Sequence, residues 1–206
     1  HVDVKYEMQQ LLDQSIISEP NVNIYDELGI KKQNIDLISD EFLQKINSMP
    51  EKDVAITLLE KLLKGKIKAM MKTNKVTSGK FEDMLKKAIN DYNSEIVIRK
   101  LIEMAKKINA EQDKGKELGL SKEEVAFYDA LADHEKAVEV LGEEKLHLIA
   151  QELVKLVKEE AGVDWEKRRN IQAKMRVAVK HLLRKYGYPP DIAAKAVNMV
   201  VEQAEL

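Results

Sequence analysis

Helical spacing of apolar residues constrains this chain more than any other feature. Apolar side chains recur three and four positions apart from one end to the other, with no strict alternation long enough for a strand. Only 8 Gly and 4 Pro punctuate 206 residues, and Leu, Ile, Lys, Glu and Ala dominate the rest. One stripe, Val54, Leu58, Leu59, Leu62, Ile67, Met70 and Met71, shows the period clearly. The expected fold is all-α, an irregular multi-helix bundle of about eight to nine helices.

Local signals place the expected helices. A first helix spans Val4 to Ile17, and an irregular stretch follows from Pro20 to Ile35. Ser39 caps a short helix to Ile46, stopped by Met49-Pro50. A longer helix runs from Glu51 to Lys72, and Thr77 or Ser78 caps the next, to about Tyr92. Another reaches about Lys107. The polar run KINAEQDKGKELG, 107–119, then suits a hinge between two helical units. Two regions are expected, 1–117 and 118–206. Ser121 with Glu124 forms a capping box, Gly142 opens a helix to Glu160, and Gly162 ends it. Asp164 caps a long helix to Tyr186, and the last helix runs from Pro190. In RKYGYPPD, 184–191, Gly187 suits a left-handed helix end and Pro190 a first turn. Tyr186 and Tyr188 are expected to pack that corner.

Several chemistries are missing. With no cysteine there is no disulfide, thiolate metal site or cysteine nucleophile. Gly65-Lys66, Gly79-Lys80 and Gly115-Lys116 lack the spacing and Ser/Thr ending of a phosphate loop. His1, His134, His147 and His181 are too scattered for a zinc site, and His147 reads as a packing residue in an apolar helix. Asp129 and Asp133 share a helix face, which reads as a solvated acidic face before it reads as a divalent-ion site. No apolar run is long enough to span a bilayer, and the cysteine-free composition fits a cytoplasmic protein. The chain starts at His1, so it reads as a piece of something longer.

Charge is where the sequence speaks of function. The net charge of −2 conceals blocks of −7 over 1–60, +8 over 61–107, −7 over 108–163 and +5 over 164–191. Of 34 cationic residues only 5 are arginine. Arg168, Arg169, Arg176 and Arg184 crowd into one helix, and Arg99 stands apart. Arginine's planar fork takes phosphate or carboxylate through paired hydrogen bonds, which lysine cannot do. On a wheel of ~100° per residue, Ile171, Met175, Ala178, Leu182 and Tyr186 make the expected core face. Arg169, Arg176, Lys180 and Arg184 then project from nearly the opposite face, while Lys167, Lys174 and Lys185 flank the core edge. The candidate binding residues are Arg168, Arg169, Lys174, Arg176, Lys180, Arg184 and Lys185. Three readings stay open: a phosphate backbone, an acidic protein partner, or salt bridges within the bundle. The lysines from Lys61 to Lys80 are a less specific second candidate.

Two segments carry a resemblance. LSKEEVAFYDALA, 120–132, and DWEKRRNIQAKMRVAVKHLLRKYGYPPD, 164–191, with the closing VVEQAEL, resemble the C-terminal helical domain of the restriction (R) subunit of type I restriction enzymes. The similarity is clear over about 118–206 and vaguer over 35–117. It implies a parent that is an ATP-dependent DNA translocase and endonuclease, with ATP and Mg²⁺ used by nuclease and motor domains that this sequence lacks. The chain itself is then expected to be non-catalytic and to need no cofactor. Its implied partners are the methyltransferase and specificity subunits and double-stranded DNA. The rivals are a pure protein scaffold without nucleic-acid contact, and a small helical hydrolase for which no convergent His and carboxylate motif is present.

Overall fold

The computed structural model describes residues 38–160 and 168–206, and the side chains of 161–169 lie outside that description. The expected helix 4–17, the stretch 20–35, Gly162 and the Asp164 cap also fall outside it. The described residues are almost wholly helical, and no strand occurs among them. Eight helices are described: α1 (Asp40–Ser48), α2 (Lys52–Met71), α3 (Lys75–Ile89), α4 (Ser94–Leu118), α5 (Lys122–Ala132), α6 (Glu135–Glu160), α7 (Arg168–Lys185) and α8 (Pro190–Ala204). None is long and apolar enough to cross a membrane.

The chain divides into two compact units, one ending at Pro50 and one spanning Glu51–Leu206. In the first, Ser39 caps α1 by accepting from the Phe42 N–H at 3.2 Å. Phe42, Leu43 and Ile46 are the buried side of that helix. The expected boundary at 117/118 lies inside the second unit, at the C-terminal end of α4.

Within the second unit, α2 packs on α3 and α4, and α5 packs on α6 and α8. All residues of α5 from Val125 to Leu131 are buried. A helix apolar almost all round has to be central, and α5 also touches α3 and α4. A continuous apolar core runs through α5–α8, from Leu120 to Val201. The anticipated hinge at 107–119 is instead the second half of α4, which stays helical to Leu118. A polar helix needs only one apolar row to be held, and Met104, Ala105 and Ile108 supply it.

The ends of the helices follow local chemistry. Ser121 and Glu124 make the capping box of α5, with N···O distances of 2.7 and 3.2 Å. Neither Thr77 nor Ser78 caps α3. Asn74 does, accepting from the Thr77 N–H at 3.1 Å, while Thr77 and Ser78 are buried inside the helix. Gly142 adopts φ 74° and ψ 164° and breaks α6 into a short and a long piece. Gly187, at φ 75°, ends α7. The Gly187 and Tyr188 N–H groups donate back to Arg184 and Leu183 at 3.1 and 2.9 Å, which satisfies two terminal carbonyls. The RKYGYPPD corner follows: Tyr188 is buried, its hydroxyl donates to the Leu131 carbonyl at 2.7 Å, and Pro190 starts α8.

Candidate functional site

Helix α7 is held between α6 and α8 by Met175, Val179 and Leu183, one row at i, i+4 and i+8. That row differs from the expected core face. Ile171, Ala178, Leu182 and Tyr186 are only partly buried, while Val179 and Leu183 are fully so. The buried row is therefore turned by about 60° from the expected one, at ~100° per residue. Packing on two neighbours, rather than on one flat core, decides which apolar row goes inside.

The turn changes what α7 presents outward. Lys174, Arg176, Lys180, Arg184 and Lys185 are all exposed. The centre of the outward face is Ala173, Val177 and His181, not an arginine row. Val177 is 57% exposed. Arg168 and Arg169 open the helix, and their side chains lie outside the described residues.

The pairing of these cations is the main electrostatic feature. Lys174, Lys180 and Arg184 form no ion pair with any described carboxylate, and the Arg176 guanidinium donates to the neutral Asn198 amide of α8. The Lys185 ammonium stands 5.4 Å from the Tyr186 ring centre. The second candidate, the lysines from 61 to 80, behaves differently. Lys64 pairs with Glu60, Lys75 with Glu202 and Lys80 with Asp133, at 2.6 to 3.0 Å. Lys75 and Lys80 thereby tie α3 to other parts of the bundle, while the Lys64 pair stays within α2.

Asp129 and Asp133 are neither a solvated face nor a place where metal ligands gather. Asp129 is 5% exposed and accepts from Asn74 Nδ2 at 2.6 Å, Thr77 Oγ1 at 2.8 Å and Lys114 Nζ at 2.6 Å. Burial alone would lower the Lys114 pKa, but the Asp129 hydrogen bond and charge outweigh it and raise it. Asp133 takes Lys80 from α3 at 3.0 Å and Lys195 from α8 at 2.9 Å. Burial would raise its pKa, yet the two ammonium groups hold it below the ordinary value. Gln203 adds to this seam, accepting from the Lys75 N–H and donating to the Thr73 carbonyl at 2.9 and 2.8 Å. The half-buried His147 lies edge-on to Tyr128, with ring centres 4.9 Å apart, as a packing residue would. Among the described residues no three His, Asp or Glu side chains converge on a metal position.

The whole chain, residues 1–206, matches the family described as type I restriction enzyme HindI endonuclease subunit-like, C-terminal. The chain belongs to this family. It is 33% identical over 203 residues to the type I restriction enzyme HindI endonuclease subunit of Haemophilus influenzae, covering 96% of this chain and 19% of that protein. It is 31% identical over 191 residues to the putative type I restriction enzyme MjaIXP endonuclease subunit of Methanocaldococcus jannaschii, covering 90% and 18%. The chain thus spans about a fifth of the length of these relatives. No solved structure matches it.

In this C-terminal restriction-subunit region, the two segments that carried the resemblance meet in space. The buried Tyr188 of the YGYPPD segment donates to Leu131 of the AFYDALA segment, and Lys195 beyond it reaches Asp133. Sequence reasoning missed the Asn74–Thr77–Lys114–Asp129 cluster and Gln203. One signal was available: an aspartate in the middle of AFYDALA, a run with no other polar group besides the tyrosine hydroxyl, requires buried partners.

Proposed function

We propose that this chain is a non-catalytic C-terminal region of a type I restriction endonuclease subunit, where it docks the subunit onto the methyltransferase–specificity complex and supports contact with double-stranded DNA. Nuclease and ATPase chemistry, with ATP and Mg²⁺, is assigned in this reading to parts of the subunit outside these 206 residues. The observation that carries it is the set of exposed α7 cations, Lys174, Arg176, Lys180 and Arg184, without a carboxylate partner among the described residues. Elsewhere in the bundle lysines such as Lys75, Lys80, Lys114, Lys136 and Lys195 are neutralised by acids on other helices. Single unpaired cations occur on other helices too, such as Lys68, Lys87 and Lys145, but α7 gathers four within 174–184, whose charge is available to an anion supplied from outside.

Charge reversal tests the reading. In the intact subunit, R176E/K180E/R184E should weaken assembly with the methyltransferase complex, DNA binding, or both. For DNA, affinity measured against salt should lose slope, by about 0.9 per phosphate contact removed. Wild-type assembly and wild-type DNA affinity in a folded triple variant would sink the proposal.

A further inference from the structure

We infer that the strip along the outward face of α7 is a seat for an acidic, amphipathic helix of a protein partner. The inference rests on the docking function proposed above and says what occupies the docking site.

The geometry is that of half a helix pair. Ala173, Val177 and His181, four residues apart, form a strip along the outermost line of α7. Arg176 and Lys180 stand on one side of the strip and Lys174 and Lys185 on the other, while Arg184 closes its end. Two rows of cations flanking a narrow strip with Ala173 and Val177 at its apolar part are what a partnered helix presents to a mate carrying carboxylates at the flanks. A helix seated there would cover Val177 and pair with cations on both sides at once.

A phosphate backbone can follow a cation row but fits the strip itself less well. It would contact one row of cations and leave an exposed valine against a polyanion, with no gain from covering it. The small side chains Ala173 and Val177 allow close approach of a second helix, which DNA does not require. A shallow groove continues the strip toward α6, lined by Glu160, Ala173, Lys174, Val177 and Ala178. Glu160 makes no ion pair with Lys174 there, so the lysine stays free for an incoming carboxylate.

The test uses the intact endonuclease subunit, the methyltransferase–specificity complex and a duplex oligonucleotide as separate probes. Val177→Ser keeps every cation and removes the apolar anchor. It should weaken binding to the protein complex by roughly tenfold, the loss expected when one buried valine side chain is removed from an interface, and leave duplex affinity unchanged. Lys174→Glu should weaken the same protein contact more at low salt than at high salt. A photo-crosslinking residue at position 177 should mark a segment of a methyltransferase or specificity subunit with carboxylates at helical spacing.

Wild-type assembly of the Val177→Ser protein, or crosslinks from 177 to DNA, would overturn the inference. Should the triple charge reversal weaken DNA binding while Val177→Ser assembles normally, the proposed function survives and this occupant does not. Should no α7 variant affect either probe, both fall.

Discussion

Asp129 ties three helices and the turn between α2 and α3 to one buried carboxylate, so its removal has a calculable effect. Asp129→Ala leaves the Thr77 hydroxyl and the Asn74 amide without their acceptor, and strips Lys114 of its closest counter-charge at 2.6 Å. Breaking a buried pair costs about 3–5 kcal/mol. Lys114 is 27% exposed and still faces Glu111 at 3.3 Å and the Tyr128 ring at 5.7 Å, which puts the cost near the lower limit. Each abandoned neutral donor adds about 1 kcal/mol, but part of that relaxes into water, and about 3–4 kcal/mol in total is expected. For a chain of this size that lowers the melting temperature by about 8–14 °C. Urea unfolding followed by circular dichroism of Asp129→Ala, Lys114→Met and the double variant measures it. The cycle should return a coupling of about 1–3 kcal/mol. A loss under about 1 kcal/mol for Asp129→Ala, or strict additivity, would show that the cluster does not hold the bundle.

Other outcomes follow from the same contacts. Gly187→Ala forces a Cβ onto a residue at φ 75° and should cost about 1–2 kcal/mol, measurable as a shift in the urea midpoint at unchanged slope. The Tyr188 phenol is pushed up to about 12 by its burial, with the Asp133 charge adding to it. The fold thus favours the protonated phenol: this stability is complete below the ordinary tyrosine value of about 10 and is lost as pH rises through about 12. Absorbance at 295 nm should show a late-ionising fraction, to which Tyr128, also raised by burial, contributes, and Tyr188→Phe should reduce its amplitude by one tyrosine. The same substitution strands the Leu131 carbonyl and should cost about 1–2 kcal/mol by urea unfolding.

Helix existence was legible because the signals are local. Ser39, the Ser121–Glu124 box, Gly187 and Pro190 act within a few residues of themselves, and all stand where expected. The α3 cap was misplaced locally, at Thr77 or Ser78 instead of Asn74, but the other errors share one cause, which is that spacing along a helix says nothing about what arrives from elsewhere. Asp129 and Asp133 do share a face, but α3, α4 and α8 bring ammonium and hydroxyl groups to it. The polar run at 107–119 continues a helix anchored by Met104, Ala105 and Ile108, and its Lys114 is tied to the buried Asp129. On α7 two adjacent rows were apolar enough to be the inner one, and only the placement between α6 and α8 selects Met175, Val179 and Leu183. The candidate cations were all read from sequence. That Lys174, Lys180 and Arg184 lack carboxylate partners among the described residues while Lys75 and Lys80 have them is a tertiary fact.

The most direct measurement is size-exclusion chromatography of the intact endonuclease subunit mixed with the methyltransferase–specificity complex, with and without duplex DNA. The wild type should co-elute with the complex, and R176E/K180E/R184E should elute apart from it or require several-fold higher concentration to join. Co-elution of the folded triple variant at wild-type concentration, in the presence and absence of DNA, would contradict a docking role for α7.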